Sequence, residues 1–352
     1  MQFPAALRRA QSSAINLTAP PIARSVAGIA LALVSFGAFL LVIGRNPLSA
    51  YATLFTNTLA SPSGLSEVAV FMIPFVLTGL AAAVPARVGL INVGGEGQLY
   101  LGAWAATGIA LFSGIGTPWL MLPLMVLAGF AGGAAWAGIA ILLRRWRNVN
   151  EVICTLLLNF VAILFVNIFV FGPWKNTGGY GYPYTADFSP AAILPALGDF
   201  RLHWGLVLPL LGVVVCYVVI NHTRWGYNMR AVGGNVEAAR RRGIGVGKYL
   251  LLAMLAGGGL AGIAGMSEVA GIQHHLRPGI SSEFGYLGFL ASWLAGHNPL
   301  ALLGTAFLLA AIFVAGDLLQ ISAGLPSAAI FILIGLVLFM VLGLKSRGRA
   351  QP

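Results

Sequence analysis

One short segment places a carboxylate and two carboxamides beside several glycines in an otherwise apolar stretch of chain. Asn92, Glu96 and Gln98 all lie within residues 88–98. Polar groups among apolar surroundings are costly unless they face water, a solute or one another. Glycine lets the backbone leave helical geometry, so that backbone polar groups can line a cavity. Two interpretations stay open: the segment contacts a solute, or Glu96 complements the dipole at the start of the following helix, at the interface with water.

A second segment, residues 229–244, has the features of a short surface helix with arginines near its C-terminal end. Asn235 is a good N-cap, residues 236–242 favour helix, and Gly243 suits the position just after a helix. Such a helix fits a groove of a soluble partner, to which it would pass rigid-body motion. It fits anionic lipid at a membrane surface equally well. The residues alone leave both interpretations open.

Long apolar runs surround these segments. Of the 352 residues, 59% are hydrophobic and 8% are charged, whereas a soluble domain carries roughly 25% charged residues. Runs of about twenty apolar residues can each cross a hydrocarbon core of ~30 Å. The sequence therefore predicts an all-α polytopic membrane protein with about ten transmembrane helices. The predicted spans are residues 25–44, 66–85, 97–113, 119–143, 151–172, 204–221, 249–267, 283–296, 298–316 and 326–344.

The eighth predicted span, residues 283–296, is short, and we expect a broken or re-entrant segment there. The ten predicted spans place the basic residues unevenly on the two sides of the membrane. Of the 20 Lys and Arg residues, 16 lie on the same side as the N-terminus. The four on the other side are Arg45, Lys175, Arg201 and Arg277. By the positive-inside rule, both terminal segments, residues 1–24 and 345–352, are predicted to be cytoplasmic. The net charge of +11 is explained by this topology and needs no nucleic-acid partner.

Two connecting loops are long enough to carry separate tasks. Residues 173–203 are predicted outside and carry almost no basic charge, so they offer a surface that could receive a solute. Residues 222–248 are predicted in the cytoplasm and hold six basic residues around the short helix. They offer a surface that could receive mechanical force.

Two glycine motifs are rejected as nucleotide sites. Residues 257–262 fit the G-x-G-x-x-G pattern but lie inside an apolar span without a βαβ context, which predicts close helix packing instead. Residues 243–248 superficially resemble a phosphate loop, but the Walker pattern would need Gly at Arg242 and Ser or Thr at Tyr249. We therefore expect no ATP site on this chain, and any ATP-derived energy must come from a partner.

The sequence also predicts no metal centre and no enzymatic activity. His274 and His275 are interpreted as loop residues rather than ligands. Cys154 and Cys216 fall inside predicted spans and are interpreted as small core residues. No Ser/His/Asp or Cys/His set converges.

Both polar segments resemble signatures of the permease family that serves ribose-type, branched-chain amino-acid and nucleoside ABC importers. The Asn92…Glu96-Gly97-Gln98 element is similar to the nucleoside branch, and residues 230–244 resemble the family's cytoplasmic coupling loop. A third match is Gly285-Tyr286-Leu287-Gly288 followed by residues 296–300, Gly-His-Asn-Pro-Leu. Residues 291–296 depart from the small-residue run of many members, because they include Trp293.

The resemblance implies a transport subunit that works by ATP-driven alternating access at the bacterial inner membrane, most simply for a nucleoside. Implied partners are a second permease chain (a paralogue or a second copy), cytoplasmic ATP-binding subunits that hold ATP and Mg²⁺, an extracytoplasmic solute-binding protein, and membrane lipid. The alternatives are a simple-sugar permease of the same family or an ion-coupled secondary transporter. In the latter, Glu96, Glu268 or Asp317 would be the coupling acid.

This interpretation gives two sets of candidate functional residues, one for the solute pathway and one for coupling to the ATP-binding subunits. Polar side chains near the spans are the candidates for the solute pathway: Asn92, Glu96, Gln98, Asn159, Asn167, Glu268, Ser292 and Asn298. The resemblance implies that the following residues couple the chain to the ATP-binding subunits: Arg230, Gly233, Asn235, Glu237, Ala238, Ala239, Gly243 and Ile244. Among these, we expect Arg230, Gly233 and Ala239 to matter for coupling rather than for folding.

Overall fold

The computed structural model describes residues 21–178, 181–323 and 328–347. Within these ranges, the chain forms thirteen α-helices and no β-strand; an isolated antiparallel bridge joins Ala196 to His203. The helices are α1 (Pro21–Val42), α2 (Pro47–Leu54), α3 (Pro62–Ala86), α4 (Gly95–Phe112), α5 (Pro118–Arg147), α6 (Glu151–Phe171), α7 (Val207–His222), α8 (Arg224–Gly234), α9 (Val236–Arg241), α10 (Val246–Glu268), α11 (Phe284–Leu294), α12 (Pro299–Ala323) and α13 (Ala328–Arg347).

A helix occupies each of the ten predicted spans, which confirms a polytopic helical membrane protein. In the described residues, seven helical stretches are long and apolar enough to cross a bilayer: Ala23–Val42, Pro62–Ala86, Pro118–Arg147, Glu151–Phe171, Trp204–His222, Val246–Gln273 and Pro299–Gln320. The number of complete crossings and their orientation stay predictions from hydropathy and charge.

Helix α11 is too short to cross a membrane by itself. Its 11 residues extend about 16 Å at 1.5 Å per residue, about half of a ~30 Å hydrocarbon core. The chain before it, from His274 to Glu283, is not helical, and Glu283 adopts a left-handed conformation with φ of 64°. The prediction of a short segment at residues 283–296 is confirmed.

Several helices begin where the sequence supplies both a cap and a proline. The side chains of Ser61 and Asn46 accept hydrogen bonds from backbone N–H groups in the first turns of α3 and α2. Pro62 and Pro47 follow them at the first helical position, where the missing N–H costs nothing. Helix α2 was not among the predicted elements, because its eight residues are too few to show as a hydrophobic span.

The described residues divide into two compact units, one within residues 1–55 and 316–352 and the other within residues 56–315. In the first unit, α1 packs closely against α13. A Cβ built on Gly28 would lie 2.9 Å from the Cα of Val341, so the glycine lets the two helices touch through their backbones. Small residues support such contacts within membranes, where apolar side chains gain little by leaving lipid.

In the second unit, α4 and α5 pack against α10 through facing glycines. A Cβ on Gly102 would collide with Gly262, and one on Gly133 would collide with Gly258 and Gly262. Gly258 and Gly262 belong to the 257–262 motif that resembles a dinucleotide loop. The interpretation of that motif as close helix packing is confirmed.

The loop predicted to be cytoplasmic, residues 222–248, holds two helices where the sequence predicted one. Helix α8 precedes α9, and Asn235 lies between them. The Asn235 side chain accepts a hydrogen bond from the Ala238 N–H at 2.9 Å, as expected of an N-cap. Gly243 has a φ of 76°, the left-handed conformation expected just after a helix. The predicted helix boundaries are therefore confirmed, and α8 is the addition.

Candidate functional site

Several helix ends lie on one side of the larger unit, and we call this side the basic side. Arg87, just after α3, donates from Nη2 to the carbonyl of His297 at 2.7 Å. Gly233, at the end of α8, packs against the Arg87 carbonyl. Arg144, near the end of α5, forms an ion pair with Glu151 at the start of α6. The arginine distribution predicts that this side is cytoplasmic.

Beyond Arg87, the chain turns back between the helices before α4 begins. Gly89 turns with a φ of 78°. The Asn92 Nδ2 donates to the carbonyl of Ala81 at 3.1 Å. Because Ala81 lies more than a turn before the end of α3, residues 88–94 run from the basic side toward the membrane interior.

Asn92 and Gln98 bind each other in a closed pair. Asn92 Nδ2 donates to Gln98 Oε1, and Gln98 Nε2 donates to Asn92 Oδ1, both at 2.9 Å. The Gly94 N–H also donates to Asn92 Oδ1 at 3.0 Å. Both side chains are buried, at 2% and 1% exposure. The pair satisfies buried amides within the protein, as an apolar interior requires.

Asn159 on α6 holds the first turn of α4. Its Oδ1 accepts from the Gly97 N–H at 2.8 Å, and its Nδ2 donates to Val93 O at 3.0 Å and to the Tyr286 hydroxyl at 3.1 Å. A Cβ on Gly97 would lie 2.9 Å from the Cα of Asn159, so the contact requires glycine. Asn159 lies eight residues into α6, about 12 Å from its basic end at 1.5 Å per residue. The start of α4 therefore lies level with the middle of α6, an apolar helix long enough to cross a bilayer.

Glu96 bridges two helix N-termini. It lies in the first turn of α4, and its Oε2 accepts from the Gly285 N–H, in the first turn of α11, at 2.7 Å. The carboxylate is 3% exposed. A Cβ on Gly285 would collide with the Glu96 backbone, so glycine permits this approach. Glu96 lies in the first turn of its helix, as the dipole interpretation expects, but at a level near the middle of α6 and facing α11.

Helix α11 is fastened to α3 at both ends. The Thr78 hydroxyl donates to the Phe284 carbonyl at 3.0 Å, and Arg87 reaches the His297 carbonyl beyond the C-terminal end. Next to that carbonyl, His297 Nδ1 lies 3.0 Å from the Ser292 hydroxyl. Burial and the nearby Arg87 cation lower the pKa of His297 below its usual range, so its ring is neutral at pH 7.

Four of the eight predicted pathway residues thus come together: Asn92, Glu96, Gln98 and Asn159. We call this group, with Gly285, the central cluster. The other four lie elsewhere. Ser292 contacts His297, and Asn298 caps α12 by accepting from the Leu300 N–H at 3.0 Å.

Asn167 and Glu268 also lie apart from the central cluster. Asn167 is eight residues farther along α6 than Asn159, and its Oδ1 is buried without a hydrogen-bond partner among the described residues. Glu268 ends α10 on the side opposite the basic side, where it lines a cavity of about 110 Å³. Its Oε1 accepts from Gln273 Nε2 at 3.0 Å, and Gln273 Oε1 accepts from Arg277 Nε at 2.7 Å.

Two contributors to the central region were not among the predicted pathway residues. Thr155 accepts from the Val93 N–H at 3.3 Å, and Tyr286 binds Asn159. Thr155 lies four residues before Asn159, on the same face of α6, and this spacing is a signal that could have identified it. Tyr286 belongs to the Gly285–Gly288 motif that carried part of the family resemblance.

The residues predicted to couple the chain to ATP-binding subunits divide into buried and exposed groups. Ala239 is 3% exposed, a Cβ on Gly233 would collide with the Arg87 carbonyl, and the Arg230 guanidinium donates to the Ile220 carbonyl at the end of α7. These three residues therefore contribute to packing within this chain. Glu237 is exposed and pairs with Arg240 and Arg241, each at 3.3 Å.

On the opposite side, the loop before α7 lies along the chain that follows α10. The Thr185 N–H donates to Leu276 O at 2.9 Å, and the Phe188 N–H donates to His274 O at 2.8 Å. His275 Nδ1 lies 3.2 Å from Asp187 Oδ1. Among the described residues, no three His, Cys, Asp or Glu side chains are grouped as metal ligands would be.

The sequence matches the family described as branched-chain amino acid transport system / permease component over residues 64–342. A glucose ABC transporter permease protein of Haloferax volcanii is 36% identical over 324 residues, which cover 88% of this chain and 84% of that protein. A guanosine ABC transporter permease protein of Bacillus subtilis is 30% identical, with 89% and 90% covered. A nucleoside ABC transporter permease protein of Lactococcus lactis is 28% identical, with 86% and 85% covered.

Each of these organisms also has a second, more distant relative of this chain. The second permease protein is 27% identical in Haloferax volcanii, 24% in Bacillus subtilis and 23% in Lactococcus lactis. The family match covers both the central cluster and the coupling loop. The chain therefore belongs to the branched-chain amino acid transport system / permease component family and is a permease subunit of an importer-type ABC transporter.

Proposed function

We propose that this chain forms one half of the membrane pathway of an inner-membrane ABC importer and translocates a nucleoside. A second permease chain, a paralogue, would form the other half, because three organisms each have two permease relatives of this chain. Two cytoplasmic subunits would bind ATP and Mg²⁺, and an extracytoplasmic protein would deliver the solute. The central cluster supports the transport role, since polar groups held between helices deep in a membrane mark solute pathways.

Nucleosides are our first substrate candidate because two relatives that cover at least 85% of both chains are named for guanosine or nucleoside transport. A hexose is the second candidate, favoured by the 36% identity to the glucose permease protein. Both solutes are uncharged and rich in hydroxyl groups. The sequence element at Asn92–Gln98 resembles the nucleoside branch, and this observation decides the order.

The substrate test is uptake by the assembled transporter in proteoliposomes. We expect ATP-dependent accumulation of labelled guanosine or another nucleoside, with no competition from a hundredfold excess of glucose. Glucose accumulation without nucleoside accumulation would replace our first candidate by the second. Uptake that stops when a proton gradient is dissipated, and that persists without ATP, would instead support ion coupling through Glu96, Glu268 or Asp317.

The contacts on the basic side suggest how motion at the coupling loop would reach the central cluster. Gly233 in α8 packs on the Arg87 carbonyl, and Arg87 holds the turn after α11. From Arg87, the chain leads directly to Asn92 and Glu96, while α11 leads to Gly285. These two stretches of chain meet at the hydrogen bond between Glu96 and Gly285. A displacement of α8 would therefore change the relation between α4 and α11, a form of alternating access driven by a partner.

Val236, at the start of α9, tests docking without disturbing the packing. It is 43% exposed, and an aspartate there would suit the helix N-terminus. We expect Val236→Asp to weaken binding of the ATP-binding subunits about tenfold, as losing a contact of about 1.4 kcal/mol would, with normal membrane insertion. Co-purification and ATP-dependent uptake measure the effect.

A matched control for docking is Val149→Asp, a 37% exposed valine in the turn between α5 and α6. This variant should retain the ATP-binding subunits at the wild-type level. If Val236→Asp also retains them at that level, α9 is not the docking element. Gly233 and Ala239 are unsuitable for this test, because larger residues at either position would disturb the packing of this chain.

A further inference from the structure

A cavity opens on the basic side between the last turns of α5 and the first turns of α10. It has a volume of about 170 Å³. Its lining includes Arg144, Arg145 and Gly247 on the outer side, and Leu142, Leu250 and Leu251 one turn farther into the membrane. The central cluster and the contact between α8 and Arg87 do not take part in this cavity.

Two exposed tryptophans give the depth of this cavity in the membrane. Trp119 is the second residue of α5 and is 77% exposed, and Trp146 lies near the other end of the helix and is 72% exposed. They are 27 residues apart, about 40 Å along a helix, which agrees with the ~40–45 Å thickness of a bilayer including its headgroups. Tryptophan concentrates at the two membrane–water interfaces. Arg145, next to Trp146, therefore lies at headgroup depth, and Leu250 lies at the edge of the hydrocarbon.

The charge inside this cavity is uncompensated. Arg144 is paired with Glu151, but Arg145 forms no ion pair with any residue that the structure describes. Gly247 leaves the opposite wall open: a Cβ there would meet only Arg145, 3.7 Å from Nη1 and 3.8 Å from Cζ. A guanidinium next to open space is a good partner for a phosphate group.

We propose that this cavity binds the phosphate of an anionic phospholipid, with an acyl chain against Leu142, Leu250 and Leu251. The order of the lining residues supports a lipid, because the arginines lie at headgroup depth and the leucines lie toward the hydrocarbon. Basic cavities between transmembrane helices on the cytoplasmic side are suited to anionic headgroups. A soluble phosphate would use the arginine but not the leucines.

The test is retention of lipid by the purified transporter, assembled with its partner subunits and measured by native mass spectrometry after exchange into phosphatidylglycerol. We expect Arg145→Gln to reduce retained phosphatidylglycerol about fivefold, which corresponds to about 1 kcal/mol per basic residue at a membrane surface. Gly247→Leu should reduce it similarly, because the new side chain fills the cavity without changing charge. Arg147→Gln, an equal charge change outside the cavity, should leave retention unchanged.

Four results would overturn the proposal. The first is wild-type retention in both Arg145→Gln and Gly247→Leu. The second is displacement of the bound lipid by millimolar inorganic phosphate, which would assign the site to soluble phosphates. The third is crosslinking of a photoreactive residue at position 145 to an ATP-binding subunit, which would assign the cavity to a protein contact. The last is a loss of retained phosphatidylcholine, in both cavity variants, as large as the loss of phosphatidylglycerol. That result would show that the charge of the headgroup plays no role.

Discussion

Replacing Glu96 with alanine is expected to lower the maximal rate of ATP-driven uptake at least about fivefold, with little change in the solute concentration that gives half-maximal uptake. The variant leaves the buried Gly285 N–H without its acceptor. An unsatisfied buried donor costs about 1–3 kcal/mol, and 1.36 kcal/mol corresponds to a factor of ten in rate. The half-maximal concentration stays near its wild-type value because Glu96 is 3% exposed and faces α11 rather than open space.

Uptake kinetics in proteoliposomes, with the amount of inserted protein measured in parallel, test this expectation. Glu96→Gln keeps an acceptor for Gly285 and should recover part of the rate. Asp199→Asn, an equal loss of charge at an exposed loop position, should behave as the wild type. A Glu96→Ala variant with an unchanged rate but a raised half-maximal concentration would instead support direct contact with the solute, the other interpretation of this segment.

Replacing Gly262 with leucine is expected to prevent stable folding of the larger unit. Any side chain at this position collides with the backbone of α5 at Gly129 and Gly133. Overpacking of a core usually costs about 1–3 kcal/mol and sometimes more, and a backbone neighbour cannot move aside as a side chain can. We expect little monodisperse protein after detergent extraction, measured by fluorescence-detected size exclusion.

The matched control for that variant is Gly304→Leu in α12, where a Cβ would meet nothing within 4 Å. Both substitutions replace a helical glycine with the same apolar residue. Gly304→Leu should therefore extract and elute as the wild type. Equal yields of the two variants would mean that the glycine contacts between α5 and α10 are not required for the fold.

The sequence predicts the positions of the long helices well because transfer of an apolar run into lipid is a property of that run alone. The same reasoning detects that residues 283–296 are too short. It does not place Glu96, because the depth at which α4 begins depends on the chain turning back after Arg87 and on Asn159 from another helix. Such contacts join residues that are distant in sequence, and hydropathy carries no information about them.

The candidate site was predictable to a similar degree. Residue type identifies Asn92, Gln98 and Asn159 as costly in a membrane. The structure pairs Asn92 with Gln98 and joins Asn159 to backbone groups of the same segment. Residue type identifies Asn298 equally, yet that side chain only caps a helix. For the coupling loop, the caps at Asn235 and Gly243 are local and were predicted, whereas the burial of Ala239 depends on the neighbouring helices.

The meeting of α4 and α11 at Glu96 has an electrostatic consequence for the cargo. Each helix N-terminus is equivalent to roughly half a positive elementary charge, and the Glu96 carboxyl lies between the two, with Glu283 at the N-cap of α11. Carboxyl groups at this junction oppose the positive ends of both helices, so the junction attracts an anionic solute less than two bare N-termini would. An uncharged molecule such as a nucleoside or a hexose gains most from a junction of this kind, because its passage depends on hydrogen bonds and shape alone.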